Sequence, residues 1–113
     1  DPETPASLSA AVIGCIREKI GFAGLLMTDD ISMGALSGPV GRRAEAALAA
    51  GCDVILHCNG DLDEMQAVAA AAGAMSGPAA ARATAALEWR RPADSIDIAA
   101  LDDEFQSLMT GQM

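Results

Sequence analysis

Cations are scarce in this chain. Seven Lys and Arg stand against 16 Asp and Glu, for a net charge of −9. That balance repels a phosphate backbone or an anionic lipid surface, so nucleic-acid binding and adhesion to a membrane are excluded as expectations. Aromatic residues are equally sparse, 3% of 113 residues, while alanine supplies much of the 51% hydrophobic fraction. Such a composition suits close-packed helices and short strands better than an all-β sandwich. No apolar run approaches the ~20 residues of a membrane span. The opening Asp1-Pro2-Glu3-Thr4-Pro5 has neither the positive charge nor the apolar core of a secretory leader. The three cysteines, Cys15, Cys52 and Cys58, are odd in number and lack metal-ligand spacing. They read as buried free thiols, which points to a reducing compartment, the cytoplasm. Neither a metal nor a cofactor is implied.

What is present centres on Gly24-Leu25-Leu26-Met27-Thr28-Asp29-Asp30-Ile31-Ser32-Met33. Three apolar residues between a glycine and a pair of acids read as a short strand buried on both faces, with the acids at its carboxyl end. Where strands and helices alternate, active sites are assembled at that end. Ahead of it, Ser9 is a helix N-cap, and Val12, Ile13, Ile16 and Ile20 form one apolar face of a helix ending near Lys19. After the acids, a loop of about ten residues folds back through Ile31, Met33 and Leu36. A helix from about Val40 to Ala50 follows, stopped by Gly51, with Arg42 and Arg43 on its outer face. Asp53 to Cys58 is a second apolar strand, closed by the turn Asn59-Gly60. Strand, helix and strand in this order make a βαβ unit with parallel strands. Asp61 or Asp63 starts a further helix through Met65, Val68 and Ala72. Ser76-Gly77-Pro78 starts the next, which runs to about Arg90 with Ala83, Ala86 and Leu87 turned inward. The last, from about Ile98 to Met109, carries Ile98, Leu101, Phe105 and Leu108 at helical spacing.

Two parallel strands apolar on both faces cannot cover one another. Residues 1–113 therefore read as an α/β piece of a larger sheet or barrel, completed by the rest of that barrel or by self-association. An aspartate at a strand's carboxyl end has three chemical uses: nucleophile or acid/base, metal ligand, or phosphate acceptor. Its bland use is to cap the following loop through backbone N–H groups. A receiver-like phosphoacceptor domain has about this length and acidity. Asp53, however, begins its strand and faces the wrong end, and Lys19 is the only lysine and precedes both strands.

The runs Gly21-Phe22-Ala23-Gly24 through Thr28-Asp29-Asp30-Ile31-Ser32-Met33, and Ala50-Gly51-Cys52-Asp53 through Leu56-His57-Cys58-Asn59, resemble the carboxyl part of the bacterial β-N-acetylhexosaminidases of glycoside hydrolase family 3, the peptidoglycan-recycling type. Pro5-Ala6-Ser7-Leu8-Ser9 is similar to that family's lead-in. The resemblance is dense from about residue 5 to residue 62. It implies a (β/α)₈ TIM barrel of which this chain is the C-terminal portion, about two βα units plus terminal helices. It implies a retaining exo-glycosidase acting on terminal β-linked N-acetylglucosamine, such as muropeptides, with Asp29 as catalytic nucleophile and Asp30 bracing the loop. Ser32, Met33 and Asn59 are the substrate-binding candidates; Met33 has core packing as its alternative, and Asn59 a turn role beside Gly60. The family's acid/base lies in a Lys-His-Phe-Pro-Gly-His-type segment that this sequence lacks. His57, inside the second strand, reads as a packed, hydrogen-bonded histidine. The chain alone is thus expected to be inactive, with a non-catalytic structural or oligomerising role as the competing reading.

Overall fold

The computed structural model describes residues 1–111. A short 3₁₀ turn, Ala6–Leu8, leads into α1 (Ala10–Gly14). The Ser9 hydroxyl accepts from the Val12 N–H at 3.2 Å, satisfying one of the donors a helix start leaves free. The helix widens into a single π turn, Cys15–Lys19, and the chain then reverses at Gly21, whose φ is +76°. β1 (Met27–Asp30), α2 (Val40–Ala50) and β2 (Val54–Leu56) form the expected βαβ unit, with the strands parallel. Met27 pairs with Val54 and Asp30 with Leu56, with an irregularity between them. Three more helices follow: α3 (Leu62–Ala72), α4 (Gly77–Glu88) and α5 (Ile98–Thr110).

The core is small. Ile31, Leu36, Val40, Ala44 and Val68 pack together, joined by Leu8, Ile55 and Ala71. Ile31 and Leu36 come from the loop after β1, which does fold back onto the body. Ala44 and Ala47 are wholly buried, so α2 lies close to its neighbours. At Gly41 a Cβ would make an ordinary contact, 3.4 Å from the Ala67 carbonyl oxygen, so α2 and α3 run side by side there. Gly51 ends α2 in the left-handed region at φ +111°, its N–H returning to the Ala47 and Leu48 carbonyls. Asp61, of the two candidates, caps α3 by accepting from the Glu64 N–H at 2.9 Å.

Several expectations are corrected. β1 starts at Met27, not at the Leu25-Leu26 pair. Leu26 instead offers its carbonyl to the Asp53 and Val54 N–H groups, at 2.8 and 3.2 Å. Neither strand is buried on both faces: Met27 is 53% exposed while Thr28 beside it is 4% exposed. With one partner strand each, the sheet has no cover on its second face. β2 keeps only Val54–Leu56 in the ladder, leaving Asp53, His57 and Cys58 as flanks. Of the cysteines only Cys52 is buried; Cys15 is half-buried, and Cys58, beyond the strand end, is exposed. Ile20 is exposed, because the π turn rotates it off the apolar face. α4 stops at Glu88, and Ala86 and Leu87 face solvent because no element packs against that side. α5 forms with an Asp97 cap, yet its whole apolar stripe is exposed. Among the described residues no helix is long and apolar enough to cross a membrane.

Candidate functional site

The alternation of a strand sorts the residues of β1. Thr28 and Asp30 lie on one side, buried and half-buried, while Met27 and Asp29 lie on the open side. The Thr28 hydroxyl accepts from the Leu56 N–H at 3.0 Å, tying β1 to β2 one residue before the acids. Asp29 therefore leaves the carboxyl end of the strand with its carboxylate exposed. The only hydrogen bond it receives among the described residues is from the Asp30 N–H, 2.8 Å to Oδ1.

Asp30 is engaged in a different way. Its Oδ1 accepts from the Ser32 N–H at 2.9 Å and from the Cys58 N–H at 3.2 Å, and its Oδ2 accepts from the Ser32 hydroxyl at 2.6 Å. The carboxylate bridges the exit of β1, the following turn and the exit of β2. The Ser32 hydroxyl and backbone N–H favour its charged form and hold its pKa below the usual range, with Cys58 and nearby His57 adding to this. The bracing role foreseen for Asp30 is what the geometry gives.

Arg43 completes the support. It was expected on the outer face of α2, but its guanidinium reaches back over the loop. Nε donates to the Gly38 carbonyl at 2.8 Å, and Nη1 to the Ile31 and Met33 carbonyls at 2.8 and 3.3 Å. Three loop carbonyls, of which Met33's also accepts from the Leu36 N–H at 3.1 Å, converge on one rigid fork of donors, which explains the correction. Arg42 does face solvent, paired with Glu45.

The remaining candidates fall at the same end. The Ser32 hydroxyl is directed at Asp30. Met33 is 43% exposed in the loop just past Asp29. Asn59 lies beyond β2, its Nδ2 donating to Glu64 and its Oδ1 accepting from the Asp61 N–H at 2.9 Å, so its polar atoms hold the turn. His57 sits just after β2 with its side chain 6% exposed and Nε2 2.9 Å from a Glu64 carboxylate oxygen. The bonds from His57 and Asn59 keep the Glu64 carboxyl below its ordinary range.

At the opposite end, Asp53 is the anchor whose role the sequence did not announce. Its Oδ2 accepts from Arg17 at 2.6 Å and from the Leu26 N–H at 2.9 Å, and its Oδ1 accepts from Arg82 at 2.7 Å. Burial alone would raise this carboxyl; the Leu26 and Arg17 hydrogen bonds and the Arg82 charge outweigh it and leave the pKa lowered. The signal was an aspartate opening an apolar strand, a position that must find donors when buried. A groove of about 530 Å³ also lies at this end, between Phe22–Leu25 and α4, and does not include Asp29. Among the described residues no cluster of three His, Cys, Asp or Glu could hold a metal ion.

The family described as "Glycosyl hydrolase family 3 N terminal domain" matches residues 1–86. Proteins named beta-hexosaminidase are similar: that of Alkalilimnicola ehrlichii is 45% identical over 58 residues, 49% of this chain and 17% of that protein. The Vibrio cholerae O395 protein is 49% identical over 47 residues, 39% of this chain and 14% of its own. The Xanthomonas campestris pv. campestris protein is 40% identical over 72 residues, 60% of this chain and 22% of its own. The matched stretch is thus about a fifth or less of each relative's length. With Asp29 and Asp30 at the mouth of a parallel βαβ unit, and most of its length matched, the chain belongs to glycosyl hydrolase family 3.

Proposed function

We propose that this chain is the nucleophile-bearing part of a retaining β-N-acetylhexosaminidase. In the full-length protein it would form about two βα units of a (β/α)₈ barrel. The observation that carries the reading is the contrast between the paired acids. Asp30 is immobilised by three hydrogen bonds, while Asp29 presents an exposed carboxylate from the strand's carboxyl end. A carboxylate held by a single backbone N–H, at Oδ1, keeps its remaining lone pairs for an electrophile, and a braced neighbour fixes the backbone from which it reacts.

In the first step an Asp29 oxygen forms a bond to the anomeric carbon of a terminal N-acetylglucosamine as the glycosidic C–O bond breaks. The leaving oxygen takes a proton from an acid elsewhere in the barrel. Water, deprotonated by the same group, then attacks the anomeric carbon and releases Asp29. His57 does not supply that acid: its side chain is buried and directed at Glu64. The isolated chain therefore binds no sugar productively and is inactive. Substrates are terminal N-acetylglucosaminides such as peptidoglycan fragments, and the free cysteines support a cytoplasmic setting.

The test is a chimera in which residues 1–86 replace the corresponding segment of the Alkalilimnicola beta-hexosaminidase. It should hydrolyse a chromogenic N-acetyl-β-glucosaminide, and Asp29→Asn should lower kcat by about a thousandfold or more. A 2-fluoro glycoside should label Asp29. Labelling of another carboxylate, or an active Asp29→Asn chimera, would overturn the assignment.

A further inference from the structure

The exit of β2 and the first turn of α3 are joined through one carboxylate. Glu64 Oε2 lies 2.9 Å from His57 Nε2 and 2.5 Å from Asn59 Nδ2. Both chain neighbours of Cys58 are thus tied to the same oxygen. The His57 side chain is 6% exposed, and its Nδ1 has no partner among the described residues. A charged carboxylate only accepts, so Nε2 carries the ring proton, and among the described residues Glu64 alone orients the imidazole by hydrogen bonding. An N–H buried this deeply needs its acceptor.

Glu64 is held in turn from its own backbone. Its N–H donates to Asp61 Oδ1 at 2.9 Å, and the Asp61 N–H donates to Asn59 Oδ1 at 2.9 Å. The segment after β2 therefore closes on itself through hydrogen bonds hung on the start of α3.

Cys58, in the middle of this clamp, donates its N–H to Asp30 Oδ1 at 3.2 Å. Asp30 donates its own N–H to Asp29 Oδ1 at 2.8 Å. Direct contacts thus link Glu64 to the exposed carboxylate. We infer that Glu64 is a positioning residue: holding His57 and Asn59 on one oxygen, it fixes the Cys58 N–H against Asp30, and through Asp30 it sets the direction from which Asp29 meets an anomeric carbon. The clamp stands on the hydrogen bonds alone, whereas its effect on turnover rests on the hydrolase reading.

Glu64→Ala and Glu64→Gln separate the hydrogen bonds from the charge. Both replacements are good helix formers and the Glu64 side chain is 42% exposed, so α3 persists in either variant. The glutamine Oε1 can accept both bonds that the Glu64 oxygen accepts, and alanine accepts neither. Amide exchange followed by NMR on the full chain should show the Cys58 N–H exchanging several-fold faster in Glu64→Ala and near the parent rate in Glu64→Gln. In the chimera with the Alkalilimnicola beta-hexosaminidase, Glu64→Ala should lower kcat about tenfold with KM within about twofold of the parent, and Glu64→Gln should recover most of the loss. An unchanged Cys58 exchange rate in Glu64→Ala would overturn the inference whether or not the chimera hydrolyses sugar. So would a raised KM at parental kcat, which would put Glu64 against the sugar, or equal losses in the two variants, which would assign the effect to charge. An inactive parent chimera would count against the hydrolase reading, while faster Cys58 exchange in Glu64→Ala would still support the clamp.

Discussion

Replacing Asp53 by alanine removes the acceptor for three donors at once: Arg17, Arg82 and the Leu26 N–H. The Asp53 side chain is 4% exposed, so its charge depends on these partners. Breaking a fully buried ion pair costs about 3–5 kcal/mol. Here the two arginine side chains are 18 and 31% exposed and can recover part of their hydration. A cost of about 2–3 kcal/mol is therefore expected, including the backbone N–H left without its carboxylate. The donors should rank by burial. Arg82→Ala should cost about 1 kcal/mol, near the upper end for a rim pair. Arg17→Ala should cost about 2 kcal/mol, because Arg17 also donates to the Phe22 and Gly24 carbonyls. Urea unfolding followed by circular dichroism at fixed protein concentration reads this directly. With a slope of about 1 kcal/mol per M for a small domain, Asp53→Ala should lower the midpoint by about 2–3 M. An Asp53→Ala midpoint within a few tenths of a molar of the parent would refute the reasoning. So would an Arg82→Ala change larger than that of Arg17→Ala.

Acid should act through the same kind of group. Asp30, Asp53 and Glu64 all have folded pKa values below their ordinary ones. Their contributions are complete above the unfolded carboxylate values and fade as pH falls through the folded ones, so stability should be flat near neutrality and drop below about pH 4; a loss beginning near pH 6 would contradict this. Gly51→Ala should destabilise by about 1–2 kcal/mol, since φ is +111° and a Cβ would lie 3.0 Å from the Ile13 Cγ2; an unchanged midpoint counts against the cap. Arg43→Met should leave the helices intact but speed proteolytic cleavage within residues 31–38 several-fold, because the Ile31, Met33 and Gly38 carbonyls lose their shared donor. Equal cleavage rates would show that the loop holds without it.

Local features are legible in the sequence alone. Ser9, Asp61 and Gly51 mark helix ends because a cap is chosen within three or four residues of the group it satisfies. The βαβ order followed from apolar runs broken by glycine, and Asp29 stood out through its motif and its place after such a run. Less legible were the limits of β1 and the burial of its faces. A strand's ends are set by the neighbour that pairs with it, and here Leu26 lies outside the ladder while its carbonyl still serves β2. The helices α4 and α5 showed their stripes plainly, but periodicity reports which residues share a face, not what covers that face.

The amino-acid order by itself determined where most helices begin, that Gly51 stops α2, that the two strands run parallel, and that a pair of carboxylates closes the first strand, since each depends on nearby residues. Only the tertiary structure decided that Asp30 is held while Asp29 is open. The same is true of the anchoring by Arg17, Arg43, Asp53 and Arg82, whose partners lie 36, 12 and 29 residues apart along the chain. A charged side chain's partner at that range is fixed by which elements pack together, and no local spacing records it.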